Sequence, residues 1–238
     1  MHRQTSSRVA LAAVIVLAAG ACSKGQEQKG APGGRRASDR AVSPTGPAEY
    51  TVVLKSTWTP RTHPFEYPKG AHFSGLIGAS HNASYSIFAL GRRPTPGLER
   101  LSEEGKHSPL DDEINAAIAA GRAGMLFETG ALKNFKDSLV TTVRVDPAHP
   151  LVSLVAMIAP SPDWFTGAAD VNLIENGAWA RSRTLRLIAY DAGGDNGTTY
   201  RAPDKDANPK RPTSRAMTRH FVIKGAVVPV ATLRLTRR

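Results

Sequence analysis

Hydrophobic and polar positions alternate along several segments of residues 49–238, and this pattern predicts a fold built mainly from β-strands. The first candidate strand is residues 50–58, where Val52 and Leu54 share one face. Seven similar candidates follow at residues 72–80, 84–90, 139–145, 151–159, 179–190, 219–226 and 228–236. Because turns rich in proline and glycine separate these candidates, we predict an antiparallel β-sandwich.

Two helical patterns lie between the third and fourth predicted strands, at residues 97–105 and 109–121. In the second, Leu110 and Ile114 fall at helical spacing. Acidic residues in its first turn and a glycine at its end suit the helix dipole and the C-terminal cap. We therefore expect a short helical insertion at about residues 97–121, packed on one side or at one end of the sandwich.

The first 48 residues follow a different pattern. Residues 1–21 combine a basic head with an apolar stretch of eleven residues, which is typical of a secretory signal peptide. A membrane-spanning helix would need about 20 consecutive apolar residues. Residues 22–48 are rich in glycine, proline, serine and charge, so we expect a disordered tether before the folded domain, residues 49–238.

Cys22 is the only cysteine of the chain. It follows Ala19, Gly20 and Ala21 in a pattern that resembles the lipobox of bacterial lipoproteins, and this makes Cys22 a candidate lipidation site. Ordinary signal cleavage before Cys22 is the alternative. The sequence therefore predicts an exported protein, which is either a membrane-anchored lipoprotein of the periplasm or cell surface or a secreted protein.

The chain of 238 residues carries a formal net charge of +11, which predicts attraction to polyanions. The surplus of Lys and Arg is spread over the tether, the segment 201–219 and the C-terminus. No nucleic-acid-binding motif is recognisable, so we do not expect nucleic acid as a partner. We expect a protein or glycan ligand of the envelope or the extracellular matrix, and contact with a membrane only through a lipidated Cys22.

Three aspartates carry the candidate chemistry. Asp191 and Asp195 lie four residues apart in a glycine-rich loop after a predicted strand, and Asp163 follows the apolar run 151–159. If these strands end at the same pole, the three carboxylates meet there and repel one another unless a cation lies between them. Oxygen ligands of this kind suit Ca²⁺.

Two considerations limit the metal-site prediction. An ordinary polar turn remains an alternative, because Asp, Asn and Gly are common turn residues. An EF-hand is excluded, since the twelfth position counted from Asp191 is Ala202 rather than Glu. Any ion bound by the loop must therefore complete its ligand shell from elsewhere in the chain.

Three blocks of sequence resemble the spondin domain, which is known from the N-terminal region of F-spondin and mindin and occurs in bacterial exported proteins. They are YPKGAHFSGLIGASHNASYSIF, VRVDPAHPLVSLVAMIAPSPDWFTG and YDAGGDNGTTY, and the resemblance covers roughly residues 49–238. It implies an antiparallel β-sandwich with one Ca²⁺ at an end of the sheets, held here by Asp163, Asp191 and Asp195. It also implies a non-catalytic binding or adhesion module, displayed in this case on a bacterial envelope.

A calcium-dependent hydrolase acting on envelope material is the alternative function. Near the predicted ion the sequence offers only hydroxyls such as Ser161 and Thr198 as catalytic partners. Ser80 and His81 lack the glycine pattern of a nucleophile elbow. The sequence also contains no HExxH motif for zinc. We therefore do not expect enzymatic activity.

Overall fold

Strands and two α-helices build the described part of the chain. A computed structural model describes residues 44–131 and 138–238. Its strands, in chain order, are β1 (Ala48–Ser56), β2 (His72–Phe73), β3 (Ile77–His81), β4 (Ala123–Glu128), β5 (Ser138–Val145), β6 (Leu151–Ala159), β7 (Trp164–Asn172), β8 (Ile174–Glu175), β9 (Ala178–Trp179), β10 (Ser182–Leu187), β11 (Ala189–Asp191), β12 (Ser214–Arg215), β13 (Val222–Ile223), β14 (Ala226–Val227) and β15 (Ala231–Arg237). Its helices are α1 (Pro96–Glu104) and α2 (Leu110–Ala119). The predicted signal peptide, Cys22 and most of the predicted tether lie outside the described residues.

Alternating burial defines a four-stranded sheet with the strand order β10-β15-β1-β5. All neighbours in this sheet are antiparallel. In β1, Tyr50, Val52 and Leu54 are fully buried, while the residues between them are partly or fully exposed. Because side chains alternate between the two faces of a strand, one face of this sheet enters the core and the other faces outward.

The seven-stranded sheet has the order β12-β11-β7-β6-β3-β4, and β2 also pairs with β6. β6 lies near its centre, and the residues from Val152 to Ala159 are all buried. A strand that is covered on both faces has no solvent-facing side, so its sequence is a continuous apolar run rather than an alternation.

Two hydrophobic clusters account for the layers of the fold. The larger cluster lies between the two sheets and includes Leu54, Leu154 and Leu233. The second lies on the other face of the seven-stranded sheet, where Val155 shares a cluster with Leu98 of α1 and with residues of α2. The predicted mainly β, antiparallel fold with a helical insertion on one side is therefore confirmed.

Local sequence explains where α1 begins and ends. The Thr95 hydroxyl accepts a hydrogen bond from the Leu98 N–H over 3.2 Å, and Pro96 occupies the first helical turn. Gly105 ends the helix in the left-handed conformation, with φ of 68°, and its N–H donates to the Leu101 carbonyl. Neither helix of the described ranges has the length and apolar character that crossing a membrane requires.

Four strand predictions need correction. The predicted strand 72–80 is divided into β2 and β3, and the predicted strand 219–226 contains only β13 and the first residue of β14, which pair as a separate hairpin. Residues 84–90 have irregular structure rather than forming a strand, and their apolar side chains Ile87 and Phe88 are buried in the cluster beside the helices. The predicted strand 179–190 is divided, because the chain passes from β10 in the four-stranded sheet to β11 in the seven-stranded sheet. β4 and β7 were not predicted. β7 contains small and polar residues, such as Gly167, and owes its strand conformation to pairing with β6 and β11.

Candidate metal centre

The end of β11 and the start of β7 bring the three predicted aspartates to one edge of the seven-stranded sheet. These strands are antiparallel neighbours, with Asp191 opposite Trp164. Asp163 directly precedes Trp164, and its carbonyl accepts a hydrogen bond from the Ala192 N–H over 3.1 Å. Asp195 follows in the loop after β11, and its backbone N–H donates to the Asp163 carboxylate. The approach of Asp163 to the loop is thus a consequence of strand register.

The Asp163 carboxylate is fully buried. Its Oδ2 accepts hydrogen bonds from the N–H groups of Gly193 at 2.8 Å, Gly194 at 2.8 Å and Asp195 at 3.1 Å. The backbone of the loop after β11 requires glycine at position 193, because φ there is 90° and a Cβ would lie 2.2 Å from the Arg211 carbonyl oxygen. The other oxygen, Asp163 Oδ1, is buried without a hydrogen-bond partner among the described residues.

Asp195 and Asp191 have different surroundings. The Asp195 carboxylate is 1% exposed and accepts hydrogen bonds from the N–H groups of Gly197 and Lys205. Asp191 is partly exposed, and its Oδ1 lies 3.8 Å from the guanidinium of Arg211. The Asp195 side chain therefore shapes the loop in which it lies, whereas Asp191 has a long contact with one cation.

Burial and repulsion between neighbouring acids raise the pKa values of the Asp163 and Asp191 carboxyls. Burial, and then the charge of Asp191, raise the pKa of Asp163 to about 6, although three backbone N–H groups act in the opposite direction. Burial also raises the pKa of Asp191, where Arg211 opposes the rise and Asp195 adds to it. A cation placed between such carboxylates would stabilise their ionised forms.

Helix α1 contributes a fourth carboxylate, Glu103, which the sequence did not reveal. Its Oε1 is buried without a hydrogen-bond partner in the described part of the chain. A Cβ added to Gly194 would lie 2.5 Å from this oxygen, so Glu103 reaches over the loop that surrounds Asp163. Burial and the charge of Glu99 raise the pKa of Glu103 to about 7, with Asp163 contributing and Lys210 opposing. Glu103 was missed because a charged residue on a predicted helix carries no signal of its own.

Two cations of the basic segment 201–219 face this carboxylate cluster. The Lys210 ammonium lies 2.6 Å from Glu99 Oε1 and donates to the Gly194 carbonyl over 3.2 Å. Arg211 donates to the Asp195 carbonyl as well as approaching Asp191. Part of the basic surplus that we expected to meet polyanions is therefore used inside the molecule, where it offsets some of the carboxylate charge.

The fit of these residues to a divalent cation rests on their unpaired oxygens. Within the described ranges, no three His, Cys, Asp or Glu side chains are grouped as a formed metal cage. Among the described residues, Asp163 Oδ1 and Glu103 Oε1 nevertheless remain buried and unpaired, close to the carboxylates of Asp191 and Asp195. Ca²⁺ takes about 6–8 oxygens from carboxylates, carbonyls and water, so this donor set fits a hard cation. To bind the ion, the Asp195 carboxylate would need to give up one of the hydrogen bonds that it accepts from backbone N–H groups.

A second buried polar cluster lies at the opposite end of β6 and β7. His81 is fully buried, with Nε2 2.7 Å from Ser153 Oγ and Nδ1 2.8 Å from the Asn82 carbonyl. The Asp170 carboxylate lies 3.6 Å from the same Nε2, so serine and aspartate share one ring nitrogen. A catalytic triad needs the two groups on opposite nitrogens. The Ser80 hydroxyl is buried without a partner among the residues described.

Comparison with known proteins identifies relatives over most of the chain. The Spondin_N family model matches residues 48–222. Spondin-2 of Rattus norvegicus is 33% identical over 161 residues, which cover 66% of this chain and 49% of the relative. Spondin-2 of Homo sapiens is 31% identical over 179 residues, covering 74% and 54%, and Spondin-1 of Xenopus laevis is 28% identical over 208 residues, covering 81% and 25%. The chain thus spans about half the length of the Spondin-2 relatives and about a quarter of this Spondin-1.

Proposed function

The chain belongs to the Spondin_N family, and from this membership we propose that residues 49–238 form a calcium-binding, non-catalytic module that acts outside the cytoplasm. In this proposal the module binds a protein or glycan ligand on a bacterial envelope. The N-terminal sequence supports export, with attachment through a lipidated Cys22 or release as a secreted protein.

The observation that carries the calcium proposal is the pair of unpaired buried oxygens, Asp163 Oδ1 and Glu103 Oε1. A buried carboxylate oxygen without a partner is costly, because it has lost hydration and gained nothing in return. Ca²⁺ would supply a positive charge to both oxygens and to Asp191 and Asp195. We propose these four side chains as its protein ligands, with water completing the shell.

Such an ion would connect three separate parts of the chain. Asp163 precedes β7, Asp191 and Asp195 lie at and after the end of β11, and Glu103 belongs to α1. Binding would therefore stabilise the docking of the helical layer on the sheet. The ion would also neutralise acids whose pKa values are raised by burial and by neighbouring carboxylates, namely Asp163 and Glu103.

Two serines at the buried polar clusters also favour a non-catalytic module. Ser161 lies next to the cluster, but its Oγ accepts a hydrogen bond from the Trp164 N–H over 3.0 Å and so closes a local turn. Ser153 is fully buried, and its Oγ accepts from the Asp170 N–H over 2.9 Å. Neither hydroxyl is presented to a substrate.

Thermal melting with Ca²⁺ or with chelator tests the ion site. At 100 times its dissociation constant, an ion that binds only the native state adds about 2.7 kcal/mol. For a domain of this size we expect the melting temperature to rise by about 5–10 °C. The variant Asp191→Asn should lose most of this rise, whereas Asp204→Asn, an exposed carboxylate of the same segment, should keep it. An equal rise in both variants would overturn the ligand assignment.

A further inference from the structure

The outward face of the four-stranded sheet carries a second concentration of charge, remote from the carboxylate cluster. Strand register decides which side chains point outward. Arg186 of β10 pairs with Thr232 of β15, and Thr232 pairs in turn with Lys55 of β1. These residues alternate with the buried positions of their strands, such as Leu233. Together with Arg234, they therefore project away from the core.

This face is strongly cationic. Lys55, Arg144, Arg186 and Arg234 are all exposed. Among the described residues, none of the four forms a salt bridge. Glu49 is the acidic residue at outward positions of these four strands; it lies opposite Arg144 in the strand register and forms its salt bridge with Arg238. The charges on this face therefore have few partners within the protein, in contrast to Lys210 and Arg211.

Hydroxyl groups separate the cations. Arg186 and Lys55 lie on strands two positions apart, roughly 10 Å across the sheet, with the Thr232 hydroxyl between them. Arg234 lies on the intervening strand, β15, two residues from Thr232. Its direct neighbour on β10 is Thr184. No two of these cations are direct cross-strand neighbours, so repulsion is limited and the charges form an open array.

From this arrangement we propose that the outward face of the four-stranded sheet binds an acidic polysaccharide. Arg and Lys pair with carboxylate or sulfate groups, and threonine hydroxyls suit the hydroxyls of sugar rings. The described outward positions carry two apolar residues, the cross-strand pair Val53 and Val140, of which Val140 is 57% exposed. They carry no aromatic side chain that could anchor this face in a lipid interface. The charge and the hydroxyls together thus favour a hydrated polyanion over a membrane.

The cationic surface and the proposed ion site lie on different sheets, so each can be changed without the other. The outer side of the seven-stranded sheet is covered by α1 and α2, and the carboxylates lie on that side. The inference names the glycan partner of the proposed binding function, but it does not depend on Ca²⁺. Loss of calcium binding should leave polysaccharide binding intact. Failure of the calcium proposal can therefore be distinguished from failure of the polysaccharide proposal.

The test measures binding of the full chain to polygalacturonate, with neutral dextran and phosphatidylglycerol vesicles as comparison surfaces. We expect polygalacturonate to bind in chelator and to weaken steeply with salt, because exposed charges are screened within about 10 Å at 0.1 M. The double variant Arg186→Gln/Arg234→Gln should weaken binding about tenfold. The matched double variant Arg92→Gln/Arg93→Gln, which removes two exposed charges elsewhere, should weaken it less than threefold.

Three outcomes would overturn the proposal. Equal weakening by the two double variants would show a general effect of net charge. Binding to the vesicles that exceeds binding to polygalacturonate and depends on Arg186 and Arg234 would assign the face to lipid. Binding that is lost in chelator would assign the polysaccharide to the ion site. Unchanged melting of the variants establishes that they are folded.

Discussion

Two buried polar clusters occupy opposite ends of β6 and β7, and they differ in how their polar atoms are satisfied. At one end, both ring nitrogens of His81 have partners, the Ser153 hydroxyl and the Asn82 carbonyl. At the other end, Asp163 and Glu103 each keep a buried oxygen without a partner in the described ranges. Both clusters belong to one sheet, so burial alone does not explain the difference.

The comparison shows why one cluster indicates a ligand and the other does not. Burial lowers the pKa of His81 although the Asp170 carboxylate acts in the opposite direction, so the ring is neutral and suits its two uncharged hydrogen-bond partners. The unpaired Ser80 hydroxyl beside it is also neutral. The carboxylates at the other end carry like charges, and leaving an ionised group unpaired costs far more than leaving a hydroxyl unpaired. We therefore propose a cation as the partner of the carboxylate cluster, whereas the polar groups of the histidine cluster pair mainly with one another.

The largest expected effect is that of Asp163→Ala in chelator. This change leaves three buried N–H groups of the loop without an acceptor. We expect the free energy of unfolding, measured in urea, to fall by about 3–5 kcal/mol. The exposed Asp112→Ala should change it by less than about 0.5 kcal/mol. A loss below about 1 kcal/mol for Asp163→Ala would mean that the loop does not depend on this carboxylate.

The pH dependence of stability in chelator should separate the clusters by sign. The pKa of Asp163 is raised in the folded state, so its contribution to stability is full below its ordinary value of 3.8 and is lost as pH rises through about 6. This loss amounts to about 3 kcal/mol. The lowered pKa of His81 acts in the opposite direction, and its contribution is lost as pH falls below 6.5.

Denaturant titrations at several pH values measure this balance. In the variant Asp163→Asn, the part of the fall in unfolding free energy that comes from ionisation of Asp163 between pH 4 and pH 7 should disappear. With Ca²⁺ present, the wild-type protein should gain stability over the same range, since the ion binds ionised carboxylates. Profiles of the wild type and of Asp163→Asn in chelator that run parallel from pH 4 to pH 7 would contradict the assigned burial of the Asp163 carboxylate.

A change of intermediate size is expected for Ser153→Ala in the histidine cluster. It removes the partner of His81 Nε2 and the acceptor of the Asp170 N–H. Unfolding free energy should fall by about 1–3 kcal/mol. The melting shift produced by Ca²⁺ should stay as in the wild type, because the ion site is at the other end of the sheet. A reduced calcium shift would show that the two clusters are coupled.

The smallest expected effect is a gain in stability in chelator rather than a loss. Glu103→Gln removes a charge that repels Glu99 and Asp163. Above pH 7 we expect the ion-free protein to gain up to about 1 kcal/mol, because the partly buried group no longer has to ionise. The same variant should bind Ca²⁺ more weakly. Destabilisation in chelator together with unchanged calcium affinity would remove Glu103 from the site.

Sequence pattern predicted those parts of the fold in which one face of a strand is exposed. The alternation in β1 and β15 marks their buried positions directly. β7 shows no such alternation, because it lies between β6 and β11 and its small residues allow close packing: a Cβ on Gly167 would lie 2.2 Å from the Leu154 carbonyl oxygen. The pattern of residues 84–90 indicates a strand, but Ile87 and Phe88 are buried from a segment of irregular structure.

The sequence predicts those residues of the candidate site whose carboxylates lie in glycine-rich loops or directly after apolar strands. Asp191 and Asp195 stand among glycines, and Asp163 follows an apolar run, so each of them lies near a strand end. Glu103 approaches them only because α1 packs beside the loop, which is a tertiary contact without a sequence signal. The same holds for Lys210, whose place in the basic segment suggests a polyanion surface although its ammonium contacts a carboxylate.

Calorimetric titration of the chelator-treated protein with Ca²⁺ tests the central claim most directly. The account predicts that one ion binds per chain, that Asp163→Asn abolishes this binding, and that Ser153→Ala preserves it. No binding to the wild-type protein, or undiminished binding to Asp163→Asn, would contradict the claim that a cation neutralises the carboxylate cluster.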